Sequence, residues 1–525
     1  MHLHGLPLIL LLGLLGALAV AGLTLLSARL SHPRPAGPFA PSHALPPPAG
    51  SRLAAAFAPR LAAEPGLTAV HLLLDPLDAL AARLELIEAA ESSVDLQYYI
   101  WQDDTAGALM LGALRRAAAR GVRVRMLIDD NGTHGLDDTL STLESLENFD
   151  IRLFNPFPLR RARWLGYLAD FHRLNRRMHN KAMVVDGALA VLGGRNIGDE
   201  YFNRFAPTGL YMDLDLMAAG PIVPQVAAQF DLYWNSALSI PVAALLAPLA
   251  PDRAEACLAA QAARLATPEA RDYARALAAP DMPLLSPDLT LSFGPATLLF
   301  DPPEKITGPI AARRMLWARL LRALGQPREE LVLISPYLVP TRAGVRVLGR
   351  YAKAGVKVRL FTNSFAASDV PLVHSGYAHR RRPLLKRGVE IWEFAPDAEI
   401  RHPPASFLRP RLRGTAPFAR NKLHAKVFIT DRARIFIGSF NFDPRSMRLN
   451  TELGLVLENP VIAAKMASAF EGYIPARAWA LKLDREGKIT WCRAGEAPTR
   501  REPGTGFWSG VALGLAKRLP IEWML

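Results

Sequence analysis

The strongest constraint on this chain is a pattern of 18 residues that occurs twice, and neither copy contains an insertion. Both copies read H-x-K-x4-D-x6-G-[GS]-x-N. The pattern consists of His179, Lys181, Asp186, Gly193, Gly194 and Asn196 in the first copy, and of His424, Lys426, Asp431, Gly438, Ser439 and Asn441 in the second. A long repeat of this kind predicts an internal duplication. Two half-sites that each offer an imidazole, an ammonium and a carboxamide fit one tetrahedral anion, most simply a phosphodiester.

The sequence before each copy predicts the same local structure. In each half, a strand is followed by an amphipathic helix and a second strand, which indicates a βαβ unit. The predicted strand, helix and strand are 93–101, 107–120 and 121–128 in the first half, and 330–337, 343–354 and 355–361 in the second. We therefore expect an α/β fold of two similar lobes, each a mixed, largely parallel sheet flanked by helices. The active site should lie at the lobe interface.

The spacing inside each copy suggests a role for every position. Residues two apart in a strand point to the same face, so each imidazole lies beside its ammonium. Asp186 and Asp431 precede the next strand, and we expect them to support a turn rather than touch phosphate. Asn196 and Asn441 can donate to a phosphoryl oxygen. The small residues are predicted to let the backbone approach the substrate; they are Gly193, Gly194, Gly438 and Ser439.

Charge and the N-terminus point towards a membrane. The net charge of +14 and the pI of about 10.0 favour anionic partners, either a phospholipid surface or a nucleic acid. Residues 6–26 are apolar except for Thr24, long enough to cross a bilayer core of about 30 Å. A cleaved signal peptide is the alternative. The basic residues after the apolar run would place the body in the cytoplasm, whereas a signal peptide would export it, so these indications of the membrane side conflict. We expect an N-terminal anchor in a bacterial inner membrane, with the body more consistent with the periplasm.

The domain boundaries follow from composition. Prolines are dense between residues 33 and 50, which predicts an extended tether. The predicted units are an anchor or signal segment at 1–28, a Pro-rich linker at 29–66, a first lobe at 67–250, a helical bridge at 251–288, a second lobe at 289–500 and a tail at 501–525. Cys257 and Cys492 have no metal-ligand spacing, and no metal site is expected.

The duplicated pattern resembles the signature of the phospholipase D superfamily. Segments 94–101, 193–202, 441–446 and 519–522 more closely resemble the bacterial cardiolipin synthases of the C type. The resemblance implies a two-step mechanism through a covalent phosphohistidine, without a metal or other cofactor. By analogy, His179 is the nucleophile and His424 the acid and base, although near-symmetry of the halves leaves the reverse order open. The lysines and asparagines of the motif would stabilise the transition state.

Each histidine is expected to need a carboxylate that fixes its tautomer. Segments 211–221 and 450–460 align on their final prolines, which places Asp213 opposite Glu452. Glu452 lies 28 residues after His424, a placement similar to that of the family's orienting acid. Asp213 is then the expected partner of His179, with Asp215 as the alternative.

The resemblance implies a membrane-attached phosphatidyltransferase that makes cardiolipin from phosphatidylglycerol and a second phospholipid. The expected partners are anionic and zwitterionic phospholipids, phosphatidylglycerol and also phosphatidylethanolamine as a candidate donor. Two motifs in one chain mean that catalysis does not require an oligomer. The alternatives are a hydrolase that releases phosphatidic acid, a nucleic-acid phosphodiesterase, which the anchor disfavours, and a non-catalytic basic membrane-binding protein.

Two surface features have two interpretations each. A basic cluster precedes each motif, at 160–177 and 409–422, and would either gather anionic headgroups or form a solvated surface. The apolar segment 164–168 would either enter the membrane interface or pack on the body.

Overall fold

The structure is a computed structural model, and it describes residues 39–202, 209–278, 283–396 and 421–506, with residue 524 and scattered positions between 13 and 26. Within these ranges the strands are β1 Thr68–Leu73, β2 Ser93–Tyr98, β3 Arg123–Asp129, β4 Phe149–Phe154, β5 Ala182–Val185, β6 Leu189–Gly193, β7 Tyr211–Met212, β8 Asp215–Ala219, β9 Ser239–Pro241, β10 Ser292–Gly294, β11 Ala296–Phe300, β12 Glu330–Ile334, β13 Lys357–Asn363, β14 Glu390–Phe394, β15 Lys422–Leu423, β16 Val427–Thr430, β17 Arg434–Gly438, β18 Leu453–Glu458, β19 Ala478–Leu483 and β20 Ile489–Cys492.

The α-helices of the same ranges are α1 Arg52–Ala63, α2 Pro76–Ala89, α3 Thr105–Ala119, α4 Asp137–Glu144, α5 Arg163–Ala169, α6 Phe171–Leu174, α7 Asp199–Phe202, α8 Val223–Trp234, α9 Pro251–Leu265, α10 Pro268–Leu277, α11 Leu316–Leu324, α12 Arg342–Lys353, α13 Pro371–Ala378, α14 Arg381–Leu385, α15 Pro444–Arg448 and α16 Pro460–Ala467.

Two sheets of the same design confirm the internal duplication. In the described residues, one sheet has the order β10-β1-β8-β6-β5-β2-β3-β4-β9 and the other the order β11-β18-β17-β16-β12-β13-β14-β19-β20. Eight strands of the first sheet have counterparts in the second. In order across the sheets, β1-β8-β6-β5-β2-β3-β4-β9 corresponds to β11-β18-β17-β16-β12-β13-β14-β19. The strands β5 and β16, which lie within the two histidine motifs, are interior strands of their sheets.

The sheets are mixed, as predicted, but their parallel part is small. Only β2-β3-β4 and β12-β13-β14 pair in parallel, and the other neighbours in each sheet are antiparallel. The expectation of largely parallel sheets is therefore wrong. The βαβ units produce the parallel strands, whereas the tight turn within each motif joins β5 to β6 and β16 to β17 as hairpins, which must be antiparallel.

The two sheets face each other across a shared hydrophobic core. Val184 and Leu216 from the first lobe pack in one cluster with Val427 and Ile437 from the second. Separate clusters lie between each sheet and its own outer helices. The described body is thus a helix–sheet–sheet–helix arrangement, in which the lobes are held together by apolar burial.

Short backbone pairings join the lobes next to the motifs. β7 of the first lobe pairs in parallel with β15 of the second, immediately before His424. The symmetric contact is a parallel bridge between Met178 and Thr451, immediately before His179. The amide of His179 donates to the Thr451 carbonyl at 2.9 Å, and the amide of His424 donates to the Met212 carbonyl at 2.7 Å. Each motif is therefore positioned by the backbone of the other lobe.

Three predicted boundaries differ from the structure. The predicted linker contains helix α1, and its residues near 42–44 are docked on the first lobe, where the Ala44 amide donates to Asp231 at 2.8 Å. The predicted bridge forms α9 and α10, which pack on helices of the first lobe. Strand β10, assigned to the second lobe, pairs with β1 of the first sheet. Residues 39–48 form neither helix nor strand, and their proline density did not predict these tertiary contacts.

The expected anchor at 1–28 and tail at 501–525 lie largely outside the described residues. No helix within the described ranges combines the length and the hydropathy needed to span a bilayer.

Candidate active site

The two motif histidines each contact a buried carboxylate. Nδ1 of His179 lies 2.9 Å from Oε2 of Glu452, and Nδ1 of His424 is hydrogen-bonded to Oδ2 of Asp213. Both rings are nearly inaccessible, with 7% of His179 and 5% of His424 exposed. A protonated Nδ1 that donates to a carboxylate leaves Nε2 free to take part in chemistry.

The pairing of histidines and carboxylates is exchanged between lobes, opposite to the sequence expectation. Glu452 orients His179 and Asp213 orients His424, whereas the sequence predicted each acid for the histidine of its own lobe. The backbone pairing between lobes explains the exchange. Asp213 directly follows β7, which pairs with the strand before His424, and Glu452 directly follows Thr451, which pairs with the residue before His179. Asp215, the alternative, is instead bound at 2.8 Å by the buried Arg83.

The small motif residues make room for these carboxylates. A Cβ at Gly194 would lie 2.2 Å from Oδ1 of Asp213, and a Cβ at Gly193 would collide with Asp215. In the second lobe, a Cβ at Gly438 would meet the Leu453 carbonyl, and the Ser439 hydroxyl donates to Glu452. The structure thus gives Gly193, Gly194, Gly438 and Ser439 a packing role that the sequence did not predict. Their contact with substrate stays a prediction.

The two lysines lie under their histidines, as the strand periodicity predicted. Nζ of Lys181 donates to the carbonyl of His179 at 2.7 Å, and Nζ of Lys426 lies 2.9 Å from Nδ1 of His424. Each lysine has only 1% of its surface exposed. Burial lowers the pKa of both lysines, and a bound anion would favour their charged forms, so the two side chains form an environment suited to an anionic ligand.

The asparagines and the motif aspartates occupy different positions. The side chain of Asn196 donates to the Tyr201 hydroxyl at 2.8 Å, and Oδ1 of the buried Asn441 lacks a partner in the described residues. A phosphate contact by either asparagine stays a prediction.

Asp186 accepts hydrogen bonds from the three backbone amides of residues 91–93, and Asp431 accepts hydrogen bonds from those of residues 328–330. Both aspartates therefore support turns at the far end of the motif strand.

Electrostatic coupling shows that the half-sites form one site. Burial lowers the pKa of His179 well below its ordinary value, and the charges of Lys181, Lys426 and His424 lower it further. Burial and the Lys426 charge lower the pKa of His424, against the opposing effect of Asp213. Lys181 of the first lobe also lowers the pKa of His424, so each histidine senses cationic groups from the other lobe.

The two orienting acids differ in charge. Burial raises the pKa of Glu452 to about 7, although the Lys181 charge opposes the rise. Burial would also raise the pKa of Asp213, but the charges of Lys426 and His424 outweigh it, and the pKa lies below its ordinary value. Asp213 is therefore ionised at neutral pH, so its histidine is the better one to stabilise as an imidazolium.

A layer of tyrosines around the histidines was not predicted from the sequence. Tyr99 packs edge-on against His179 with ring centres 5.1 Å apart, and Tyr211 lies 4.9 Å from His424. The Tyr211 hydroxyl donates to Asp369 at 2.9 Å, and the Tyr337 hydroxyl donates to the same carboxylate. These residues come from separate segments, and no spacing in the sequence links them to the motif.

Three of the six arginines in the first basic cluster form hydrogen-bonded ion pairs with aspartates of the same lobe, and the gathering of headgroups by this cluster stays a prediction. The pairs are Arg160 with Asp130 and Asp137, Arg173 with Asp170, and Arg177 with Asp129. In the second cluster, Arg409, Arg411, Arg413 and Arg420 lie outside the described residues. Nζ of Lys422 is described and lies 5.1 Å from the ring centre of Tyr211.

In the part of the chain that the structure describes, no three His, Cys, Asp or Glu side chains converge as metal ligands.

The duplicated sheets and the paired histidines define a phospholipase D-like protein. The family model described as "Cardiolipin synthase, PLD-like domain" matches residues 84–234 and 320–474. Each match contains one copy of the motif, and together they cover more than half of the chain. The chain therefore belongs to this phospholipase D-like family.

Individual relatives agree with the family match. Cardiolipin synthase C of Escherichia coli (strain K12) is 44% identical over 486 residues, which cover 90% of this chain and all of that protein. Cardiolipin synthase A of Pseudomonas putida is 27% identical over 389 residues, or 74% of this chain and 64% of that protein. Among solved structures, phosphatidylserine synthase of Haemophilus influenzae Rd KW20 matches with a TM-score of 0.56 and 17% identity. That match covers 88% of this chain and 98% of the other, and it shows a shared fold.

Proposed function

We propose that this protein is a membrane-associated phosphatidyltransferase that makes cardiolipin from phosphatidylglycerol and a second phospholipid. The observation that carries the proposal is the single buried site in which each lobe supplies a histidine and the acid for the other histidine. The 44% identical relative named cardiolipin synthase C supports the choice of reaction.

The proposed reaction has two displacements at one phosphorus. In the first, Nε2 of His179 attacks the donor phosphorus, the bond to the headgroup oxygen breaks, and His424 gives its proton to that oxygen. In the second, a hydroxyl of phosphatidylglycerol gives its proton to His424 and attacks phosphorus. The phosphorus–nitrogen bond breaks, which frees cardiolipin and neutral His179. One phosphodiester replaces another, so no nucleotide is required.

The electrostatics support this assignment of roles. A nucleophilic imidazole must be neutral, and His179 has the strongly lowered pKa. A general acid must hold a proton, and Asp213 partly offsets the lowering of the His424 pKa by burial and Lys426, so His424 is the more easily protonated of the two rings. Lys181 and Lys426 would balance negative charge on the phosphoryl oxygens in the transition state. Burial of both rings limits the access of bulk water to the site.

Lipid products test the proposal directly. Purified protein is incubated with vesicles of phosphatidylglycerol, with and without phosphatidylethanolamine, and the lipids are analysed by mass spectrometry. Cardiolipin formed by the wild type but not by His179→Ala is the expected result, and dependence on phosphatidylethanolamine would name the donor. Phosphatidic acid as the main product would replace the proposal with a hydrolase.

Chelation gives a second expected result. The nucleophile, acid and charge-stabilising groups in the proposal are all side chains of this chain, so EDTA should leave the initial rate within about twofold. The control is the same assay with added MgCl2 instead of EDTA. Loss of activity in EDTA that returns with a divalent cation would contradict the proposed mechanism.

The pH dependence of kcat/KM should have a basic limb caused by Lys426. Burial lowers the pKa of Lys426 to about 8, against the opposing charges of Asp213 and Glu452. A lysine loses its charge as the pH rises through its pKa, so the rate should fall above a pH of about 8. Lys426→Arg stays charged and, at a lower overall rate, should lack this limb. An unchanged limb in that variant would assign it to another group.

We also infer attachment to a bacterial inner membrane through residues 1–28, which rests on their apolar sequence. Protease protection of an N-terminal and a C-terminal tag in spheroplasts tests both the anchor and the side. A body exposed to external protease is expected, and full protection would place it in the cytoplasm.

A further inference from the structure

We propose that two exposed apolar ridges, one on each lobe, dock the mouth of the active site onto the surface of a lipid bilayer. The first ridge consists of Trp164, Leu168 and Phe171, and the second of Val370 and Leu372. The inference rests on the proposed function, in which the substrates are phospholipids, and adds how the described body meets the membrane that contains them.

The first ridge is a row of large apolar side chains that point away from the body. Trp164 is 66% exposed, Leu168 64% and Phe171 45%. Trp164 and Leu168 are four residues apart on one face of α5, and Phe171 begins α6 after the non-helical Asp170. The opposite side is packed tightly, since a Cβ at Gly166 would lie 3.2 Å from side-chain carbons of Leu174 and Phe157. The segment is held by its inner side and presents its apolar side outwards.

The second ridge lies at the start of α13. Val370 is 37% exposed and Leu372 40%, on either side of the proline that begins the helix. The next turn of the helix is buried, with His374 and Tyr377 in the body of the lobe. As in the first ridge, apolar side chains project from a segment whose remainder is fixed.

Each ridge is connected to one catalytic histidine. The Tyr167 hydroxyl, in the helix of the first ridge, donates to Asn131 at 3.1 Å, and Asn131 donates to the hydroxyl of Tyr99, which packs on His179. Beside the second ridge, Asp369 accepts from Tyr211, which packs on His424. Each ridge is therefore linked to a different catalytic histidine by a short chain of side-chain contacts.

A bilayer surface fits this arrangement better than a protein partner. The apolar side chains form two separate ridges, each linked to a site that contains buried lysines, rather than one continuous apolar patch. A phospholipid surface offers hydrocarbon for the ridges and an anionic phosphodiester for that site, and tryptophan is favoured at the interface between lipid and water. The net charge of +14 is complementary to anionic lipid.

Val461 provides a matched control because it is equally apolar but remote. It is 74% exposed, more than any ridge residue. Strand β18 starts next to Glu452 at the active site and ends at Glu458, so the start of α16 lies at the opposite end of the sheet.

The test compares two forms of the same substrate with the full chain. Initial rates of phosphatidyl transfer are measured on bilayer vesicles of phosphatidylglycerol and on dihexanoyl-phosphatidylglycerol below its micelle concentration. Two variants are compared with the wild type: the double variant Trp164→Asp with Leu168→Asp, and the single variant Leu372→Asp. In both, the rate on vesicles divided by the rate on monomeric substrate should fall at least about tenfold. Val461→Asp should keep the wild-type ratio within about twofold. An unchanged ratio in the ridge variants would overturn the proposal.

A physical measurement separates this inference from the proposed function. Vesicles with brominated acyl chains quench tryptophans that enter the hydrocarbon, and the quenched fraction of wild type should exceed that of Trp164→Phe. Equal quenching would overturn the docking proposal even if cardiolipin is made. Quenching with no cardiolipin from either substrate would retain the docking and reject the proposed function. A ridge variant with changed oligomeric mass and unchanged quenching would show that the face contacts a second copy, against the proposal.

Discussion

Replacement of either motif histidine by alanine is expected to abolish phosphatidyl transfer and leave the fold intact. His179→Ala removes the atom that attacks phosphorus, and His424→Ala removes the group that protonates the leaving oxygen and activates the acceptor. General acid–base catalysis alone contributes about 10²- to 10⁴-fold, and residues that act as a unit lose nearly all activity when one is removed. We expect a fall of at least about 10³-fold for each variant and little further loss in the double variant.

The measurement is cardiolipin formation over time by mass spectrometry, with thermal unfolding as the check on the fold. His134→Ala is a matched control, because that histidine is exposed and belongs to neither motif. It should retain wild-type activity. Near-normal activity in either motif variant would contradict a site built from both lobes.

Loss of an orienting carboxylate should act on the histidine of the opposite lobe. Asp213→Asn removes the charge that stabilises protonated His424, and we expect a fall of about 10²- to 10⁴-fold, comparable with the loss of a triad aspartate. Glu452→Gln should cost less, since the pKa of about 7 means that this acid is already partly uncharged at neutral pH. Both changes should be milder than loss of the histidine itself.

Nuclear magnetic resonance of protein labelled with 15N-histidine can identify the pairs. The ring signals are assigned with the two alanine variants. Asp213→Asn should shift the ring nitrogens of His424 and leave those of His179 nearly unchanged, and Glu452→Gln should do the reverse. If Asp213→Asn moves the His179 signals instead, the exchanged pairing is wrong.

The parts of the site that depend on local sequence were predictable. The period of two in a strand placed each lysine on the side of its histidine, and the positions of Asp186 and Asp431 before the next strand indicated the turns that they support. The duplication itself predicted two similar lobes. The βαβ pattern also predicted β2-β3 and β12-β13 as parallel pairs.

The exchange of carboxylates was not predictable from one sequence. Asp213 is close in sequence to His179 and Glu452 to His424, so proximity along the chain favours the wrong partners. The correct pairs arise from β7 with β15 and from Met178 with Thr451, contacts that exist only once the lobes meet. Tyr211 and Asp369 were missed for the same reason, because 158 residues separate them.

The measurement that tests the central claim most directly uses a phosphatidyl ester of p-nitrophenol. This leaving group needs no proton, so the first displacement can proceed without His424, whereas the second still needs it. His424→Ala should therefore release one nitrophenol per active site in a burst and then stop, with the phosphatidyl group attached to the peptide that contains His179. His179→Ala should show no burst. A burst that persists in His179→Ala, or its absence in His424→Ala, would contradict the division of labour between the two lobes.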